Sequence, residues 1–157
     1  MPLPLGSKAP DFELACETGD RIRLHDILAE RAVVLFFYPK DNTPGCTAES
    51  CAFRDRYEVF SQAGAEVLGV SRDAVASHRR FVSDHRLNFH VLADPDGHVH
   101  DLFRVGHSVP FLLPARETYV IDRDGWIRHH FSSQLRATKH VDEALRVVKR
   151  LAAERAG

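Results

Sequence analysis

The chain has 157 residues, and 21 Lys and Arg against 22 Asp and Glu leave a formal charge of −1. That length suits one domain and is enough to bury a core without disulfides or a structural metal. The near-neutral balance excludes the basic excess expected of a nucleic-acid or anionic-membrane protein, and 44% apolar residues exclude a wholly disordered chain.

The first ten residues, ending Lys8-Ala9-Pro10, are Pro-rich and read as irregular. Phe12–Cys16 and Ile22–Leu24 read as two strands around a Gly19-Asp20 turn, an N-terminal β-hairpin. Ala32 to Tyr38 is a continuous apolar run stopped by Pro39. It predicts a central strand buried on both faces. It is also the longest apolar run, far short of the roughly 20 residues of a spanning helix.

A helix is expected over residues 46–63, ending at Gly64, then a strand over Ala65–Val70 and a helix over Val75–Arg86. A short strand near Val91-Leu92 and a short helix near His98–Phe103 follow. Glu117–Ile121 and Trp126–Phe131 form a hairpin across Asp122–Gly125. Lys139–Ala153 closes the chain as an amphipathic helix, with Val141, Leu145, Val148 and Leu151 at helical spacing. The alternation predicts a single α/β domain over residues 1–157, a mixed sheet flanked by helices.

The chemistry concentrates between Tyr38 and Cys51. A buried strand leads through Pro39, Thr43, Pro44 and Gly45 into a helix, so Cys46 falls in its first turn. Free N–H groups and the positive end of the helix dipole lie there, an environment that favours thiolate. The same N–H groups suit a peroxide oxygen or an anion. Thr43, three residues earlier, is within reach of the sulfur or of a bound substrate. Helix register sets Phe53, Tyr57 and Phe60 within about 40° of Cys46 and Cys51 about 140° away. Five residues of rise also exceed the reach of a disulfide, so Cys46 and Cys51 pair only if the first turns unwind. Cys16, in an early strand, reads as a passive packed thiol.

Three cysteines, an odd and low count, predict a reducing, cytoplasmic setting. The start, Met1 to Gly6, lacks the basic flank and apolar segment of a secretory signal. The histidines, among them His78, His85, His90, His98, His100 and His107, show no metal-ligand spacing and are expected on the solvated surface. His129 and His130 alternate faces of a strand, and neither a metal nor a cofactor is expected.

Pro39-x-x-x-Thr43-x-x-Cys46 resembles the active-site signature of the peroxiredoxins. The fuller string, from Phe37 through Glu49 to Cys51, is similar to the Q-type, bacterioferritin comigratory subfamily. Gly6-x-x-Ala9-Pro10-x-Phe12, Leu68-Gly69-Val70-Ser71 with Asp73, Leu92-x-Asp94-x-x-Gly97 and Arg116-x-Thr118-Tyr119 extend the resemblance over nearly the whole chain.

The resemblance implies a thioredoxin-like fold and a peroxidase acting on hydrogen peroxide and organic hydroperoxides. It implies that Cys46 is peroxidatic and forms a sulfenic acid, that Cys51 resolves it as an intramolecular disulfide, and that a thioredoxin-type donor recycles the pair. Thr43 matches the residue that hydrogen-bonds sulfur and peroxide. Arg116 matches the arginine that polarises the peroxide, a task suited to a fixed planar cation. Glu49 matches an acid that holds Arg116 or shapes the first helical turn; Pro39 and Gly45 support the site. A monomer is the expectation, a weak dimer the other reading. One departure is the stretch Arg104–Ala115, shorter than in many relatives, which bears on the pocket rim and on access for bulky peroxides. The competing readings are a thioredoxin-like disulfide oxidoreductase, which would carry Cys-x-x-Cys, and a redox sensor using the same cysteines.

Overall fold

The computed structural model describes residues 2–106, 115–133 and 138–156. The histidine and prolines at 107–114 in the shortened stretch lie outside the described residues. Seven strands form one mixed sheet in the order β2-β1-β5-β4-β3-β6-β7. The strands are β1 (Glu13–Cys16), β2 (Arg21–Arg23), β3 (Ala32–Phe37), β4 (Ala65–Ser71), β5 (His90–Ala93), β6 (Glu117–Ile121) and β7 (Ile127–Ser132). β3, β4 and β5 run parallel; β6 pairs antiparallel with β3, and β1 with β5. The helices are α1 (Leu24–Leu28), α2 (Pro44–Gln62), α3 (Val75–His85), α4 (His98–Leu102) and α5 (Lys139–Ala156).

All six residues of β3 are buried. Strand alternation sends Val34 and Phe36 to one core and Val33, Leu35 and Phe37 to another. The first core lies under α2, α3 and α5 and holds Cys46, Phe53, Phe60 and Phe81. The second, across the sheet, holds Cys16, Leu24, Phe103 and Tyr119. Of the predicted face of α2, Cys46, Phe53 and Phe60 are inside and Tyr57 is half-buried, as is Cys51; Glu49 and Ser50 are buried beside them.

Phe53 locks α2 onto the sheet by stacking on Phe36, with ring centroids 4.5 Å apart. Burying such a ring contributes about 1.5–3 kcal/mol. Phe36 in turn fills the space over Gly69 of β4, where a Cβ would meet its Cζ at 2.8 Å. That close approach is why glycine interrupts a strand of valine and leucine.

Two sequence expectations need correction. Leu24, read as the end of a strand, is the first residue of α1. Its N–H still donates to Phe12 O at 3.0 Å, but Asp11 Oδ1 takes the His25 N–H and turns the chain into a helix. The histidines are not all solvated, for His78, His100 and His140 are buried. Each pairs a ring nitrogen with an oxygen: His78 Nδ1 lies 2.7 Å from Asp41, His100 Nδ1 2.6 Å from Asp94 and His140 Nδ1 2.7 Å from Thr118 Oγ1. Asp94 also accepts the Val99 and His100 N–H groups at the start of α4.

Candidate active site

The site sits at the carboxyl end of β3, where open α/β sheets place their ligands. Tyr38 continues β3 by donating its N–H to Val70 O. The loop then descends through half-buried Pro39 to Asp41, which is buried and accepts from Tyr38 Oη (2.5 Å), Ser77 Oγ (2.8 Å) and His78 (2.7 Å). Its own N–H donates to Asp73 Oδ2 at 2.9 Å. Burial alone would raise the Asp41 pKa, but these partners hold it below the ordinary aspartate value. The loop is thus fixed to α3 just before the first turn of α2.

Thr43 is the N-cap residue of α2 and Pro44 its first helical residue. The first turn closes with Thr47 N–H on Thr43 O at 2.8 Å. The N–H groups of Gly45 and Cys46 precede that bond and have no intrahelical acceptor by geometry. The Thr43 hydroxyl does not cap them; it donates to Lys40 O at 2.8 Å and is not bonded to sulfur. Two backbone donors therefore lie beside the Cys46 thiol.

Arg116, just ahead of β6, reaches across to this turn. Its Nη2 donates to Cys46 Sγ at 3.4 Å and its Nη1 to Glu49 Oε1 at 2.7 Å. A Cβ on Gly45 would lie 2.9 Å from that Nη2, so glycine leaves room for the guanidinium. Burial works against the Arg116 charge, but Glu49 and Cys46 more than offset it, and its pKa lies above the ordinary value. Glu49 is wholly buried rather than on a solvated helix face. Burial pushes its pKa up to about 8 against the pull of Arg116. The guanidinium thus stands between the thiol and a carboxyl that burial keeps protonated.

The structure thus joins Cys46, Glu49 and Arg116 by direct contact and sets Thr43, Gly45 and Pro39 along the approach. Cys51 is in the next turn, half-buried, and all three cysteines are free. Cys16 is in the other core, its Sγ 3.1 Å from Thr18 Oγ1.

The sequence pattern does not single out Asp41, His78, Thr118 or His140 as site residues. His140 carried a readable signal, since His140, Ala144, Val147 and Leu151 share helical spacing with all four buried. In two groups with ligand chemistry, Cys16-Glu17-His90 and Asp41-Asp73-His78, the histidine is already paired with a carboxylate, His90 with Glu17 and His78 with Asp41. A cavity of about 540 Å³ lies at the opposite end of β3 among Ala32, Gly64, Arg123 and Leu151. It contains no thiol, so the chemistry rather than the volume identifies the site.

A family model described as the AhpC/TSA family matches residues 5–130. The chloroplastic peroxiredoxin Q of Oryza sativa subsp. japonica is 41% identical over 146 residues, 93% of this chain and 67% of the rice protein. That of Arabidopsis thaliana is 42% identical over 144 residues, 92% of this chain and 66% of its own length. The crystal structure of peroxidoxin BcpB from Mycobacterium tuberculosis superposes with a TM-score of 0.88 at 36% identity, covering 94% of this chain and 97% of that one. The Xanthomonas campestris bacterioferritin comigratory protein, studied for its alkyl peroxide reduction activity, superposes with a TM-score of 0.84 at 30% identity, covering 96% and 98%.

Proposed function

The chain belongs to the AhpC/TSA family and is a thiol-dependent peroxidase with a thioredoxin-like fold, and from that premise we propose that Cys46 is the nucleophile, Arg116 the cation that polarises the peroxide and Cys51 the resolving thiol. The observation that carries this reading is the Arg116 fork, one nitrogen on Cys46 Sγ and the other on buried Glu49.

The Cys46 thiolate attacks the terminal peroxide oxygen, the O–O bond breaks, and the departing alkoxide or hydroxide takes a proton and leaves as alcohol or water. Sulfur gains oxygen and becomes a sulfenic acid. Arg116 and the N–H groups of Gly45 and Cys46 face the charge that builds on the departing oxygen, where fixed donors count most. Thr43 serves as a further donor once its hydroxyl leaves Lys40 O. Pro39 and Gly45 shape the approach, and Glu49 holds the far side of the guanidinium.

Cys51 then condenses with the sulfenic acid, forming the disulfide and releasing water. Both cysteines belong to one continuous helix, so residues 43–52 must unwind first. Cys16 is a poor substitute, because the whole sheet separates its core from that of Cys46. A thioredoxin-type dithiol reduces the disulfide and is itself oxidised. Hydrogen peroxide and organic hydroperoxides are the proposed substrates, the cytoplasm the proposed setting and a monomer the proposed working form.

Peroxide consumption with a thioredoxin system tests the assignments. Wild type turns over, Cys46→Ser is inert, and Cys51→Ser reacts once and stalls. Continued turnover of Cys51→Ser would remove Cys51 from the resolving role. Hydrogen exchange equally slow over 43–52 in reduced and oxidised protein would remove the unwinding step.

A further inference from the structure

We propose that His140 is a positioning residue for the peroxidase step: its imidazole, carried in by α5, braces the Glu49 carboxyl and through it holds the Arg116 guanidinium on the Cys46 sulfur. This rests on the reading that Arg116 serves Cys46.

Glu49 presents two oxygens to a fully buried space. Oε1 accepts from Arg116, whereas Oε2 has no hydrogen-bond partner among the described residues. His140 Nδ1 lies 3.6 Å from Oε2. His140 is itself buried and held at both nitrogens. Nε2 lies 3.0 Å from Ser133 O, which can only accept, so Nε2 carries a hydrogen. Nδ1 lies 2.7 Å from Thr118 Oγ1, and the ring is packed edge-on to Phe131 with centroids 4.7 Å apart. The imidazole cannot turn without breaking both bonds.

Nδ1 therefore faces both a hydroxyl and the free carboxyl oxygen. Two arrangements carry the same total charge: a neutral imidazole beside a neutral carboxyl, or an imidazolium beside a carboxylate. Burial favours the first, pushing His140 down to about 4 and Glu49 up to about 8. The other charged groups that bear on His140 are Arg116, His130 and Glu117. In either arrangement the carboxyl cannot rotate freely, because Arg116 stands on one oxygen and the fixed imidazole on the other. A guanidinium that contacts sulfur at 3.4 Å is then held from behind as well. Loss of such bracing by a fraction of an ångström suffices for a rate effect of about tenfold, since a 1 Å misplacement costs about a hundredfold.

The test is a double-mutant cycle on the second-order rate of Cys46 oxidation by hydrogen peroxide, with folding checked by circular dichroism and urea unfolding. His140→Leu is expected to slow oxidation about tenfold in the wild-type background. In the Glu49→Ala background, which removes the carboxyl, it should produce no further slowing, although its effect on stability persists there. His140→Gln, which keeps a donor for Ser133 O and an acceptor for Thr118, should recover most of the rate. If His140→Leu does not fold, Thr118→Val, which releases Nδ1, runs the same cycle with a smaller expected loss. Full activity in His140→Leu, or an undiminished loss in the Glu49→Ala background, would overturn the proposal. Arg116→Met separates the two readings. If it is slow while His140→Leu is not, only the His140 role falls; if Arg116→Met keeps the wild-type rate, the Arg116 reading falls too.

Discussion

Glu49→Gln should stabilise the protein, and more so as pH rises. The substitution keeps the shape and leaves an amide oxygen where Oε1 accepts from Arg116. What it removes is a proton uptake coupled to folding. Glu49 has an ordinary value of 4.5 and a folded value of about 8. Below 4.5 the acid is neutral in both states and the fold is not penalised. Between the two values the unfolded chain is ionised while the folded chain keeps its proton, so stability falls by about 1.4 kcal/mol per pH unit. The stability present in acid is thus lost as pH climbs through the folded value. The accumulated loss is about 3 kcal/mol at neutral pH and rises to about 4 kcal/mol near pH 8. At roughly 2–4 °C per kcal/mol, the variant should melt about 6–12 °C higher at neutral pH. Urea unfolding of both proteins at about pH 5, 7 and 8 checks this, because every other titrating group cancels in the difference. A gap between variant and wild type that does not widen from pH 5 to 8 would refute the account of Glu49 as a proton-holding acid.

Three further outcomes follow from the same geometry. Arg116→Lys cannot place one ammonium on both Cys46 and Glu49, so oxidation of Cys46 should slow about a hundredfold by stopped-flow fluorescence. Asp41→Asn should lose about 2–3 kcal/mol at neutral pH by urea unfolding, since three donors then face an uncharged amide. Because the folded Asp41 pKa lies below the ordinary value, its contribution is present above that value and lost as pH falls through the folded one, so the gap should close in acid. Gly69→Ala should cost about 1–3 kcal/mol by calorimetry, because the new methyl meets Phe36; an unchanged Tm would show that the ring moves freely.

The elements that could be read from the sequence were those whose signal is local. β3 is a seven-residue apolar run in the sequence and six buried strand residues in the fold. The face of α2 follows from helical spacing, which alone separates Cys46 from Cys51. Glu49 was legible as a partner of Arg116, though not its complete burial. What escaped depends on contacts between distant segments. Asp11 starts α1 from across the hairpin, 14 residues before His25. His78 is buried because Asp41, 37 residues earlier, supplies an acceptor inside the core. His140 needs Thr118 from β6, 22 residues away. Each of these polar side chains goes inside where a distant partner waits, and composition does not reveal the partner.

The anchoring of Asp41 to α3 and the stacking of Phe53 on Phe36 frame the proposed disulfide step. They are fixed posts on either side of residues 43–52, so the opened segment is a tethered loop whose ends stay where the closed helix needs them. Helix growth at about a nanosecond per residue on a pre-existing end closes such a loop within roughly a microsecond. Once a donor has reduced the Cys46–Cys51 bond, refolding of the catalytic turn is therefore far too fast to limit turnover. The rate of recycling should track donor concentration until release of the oxidised donor takes over.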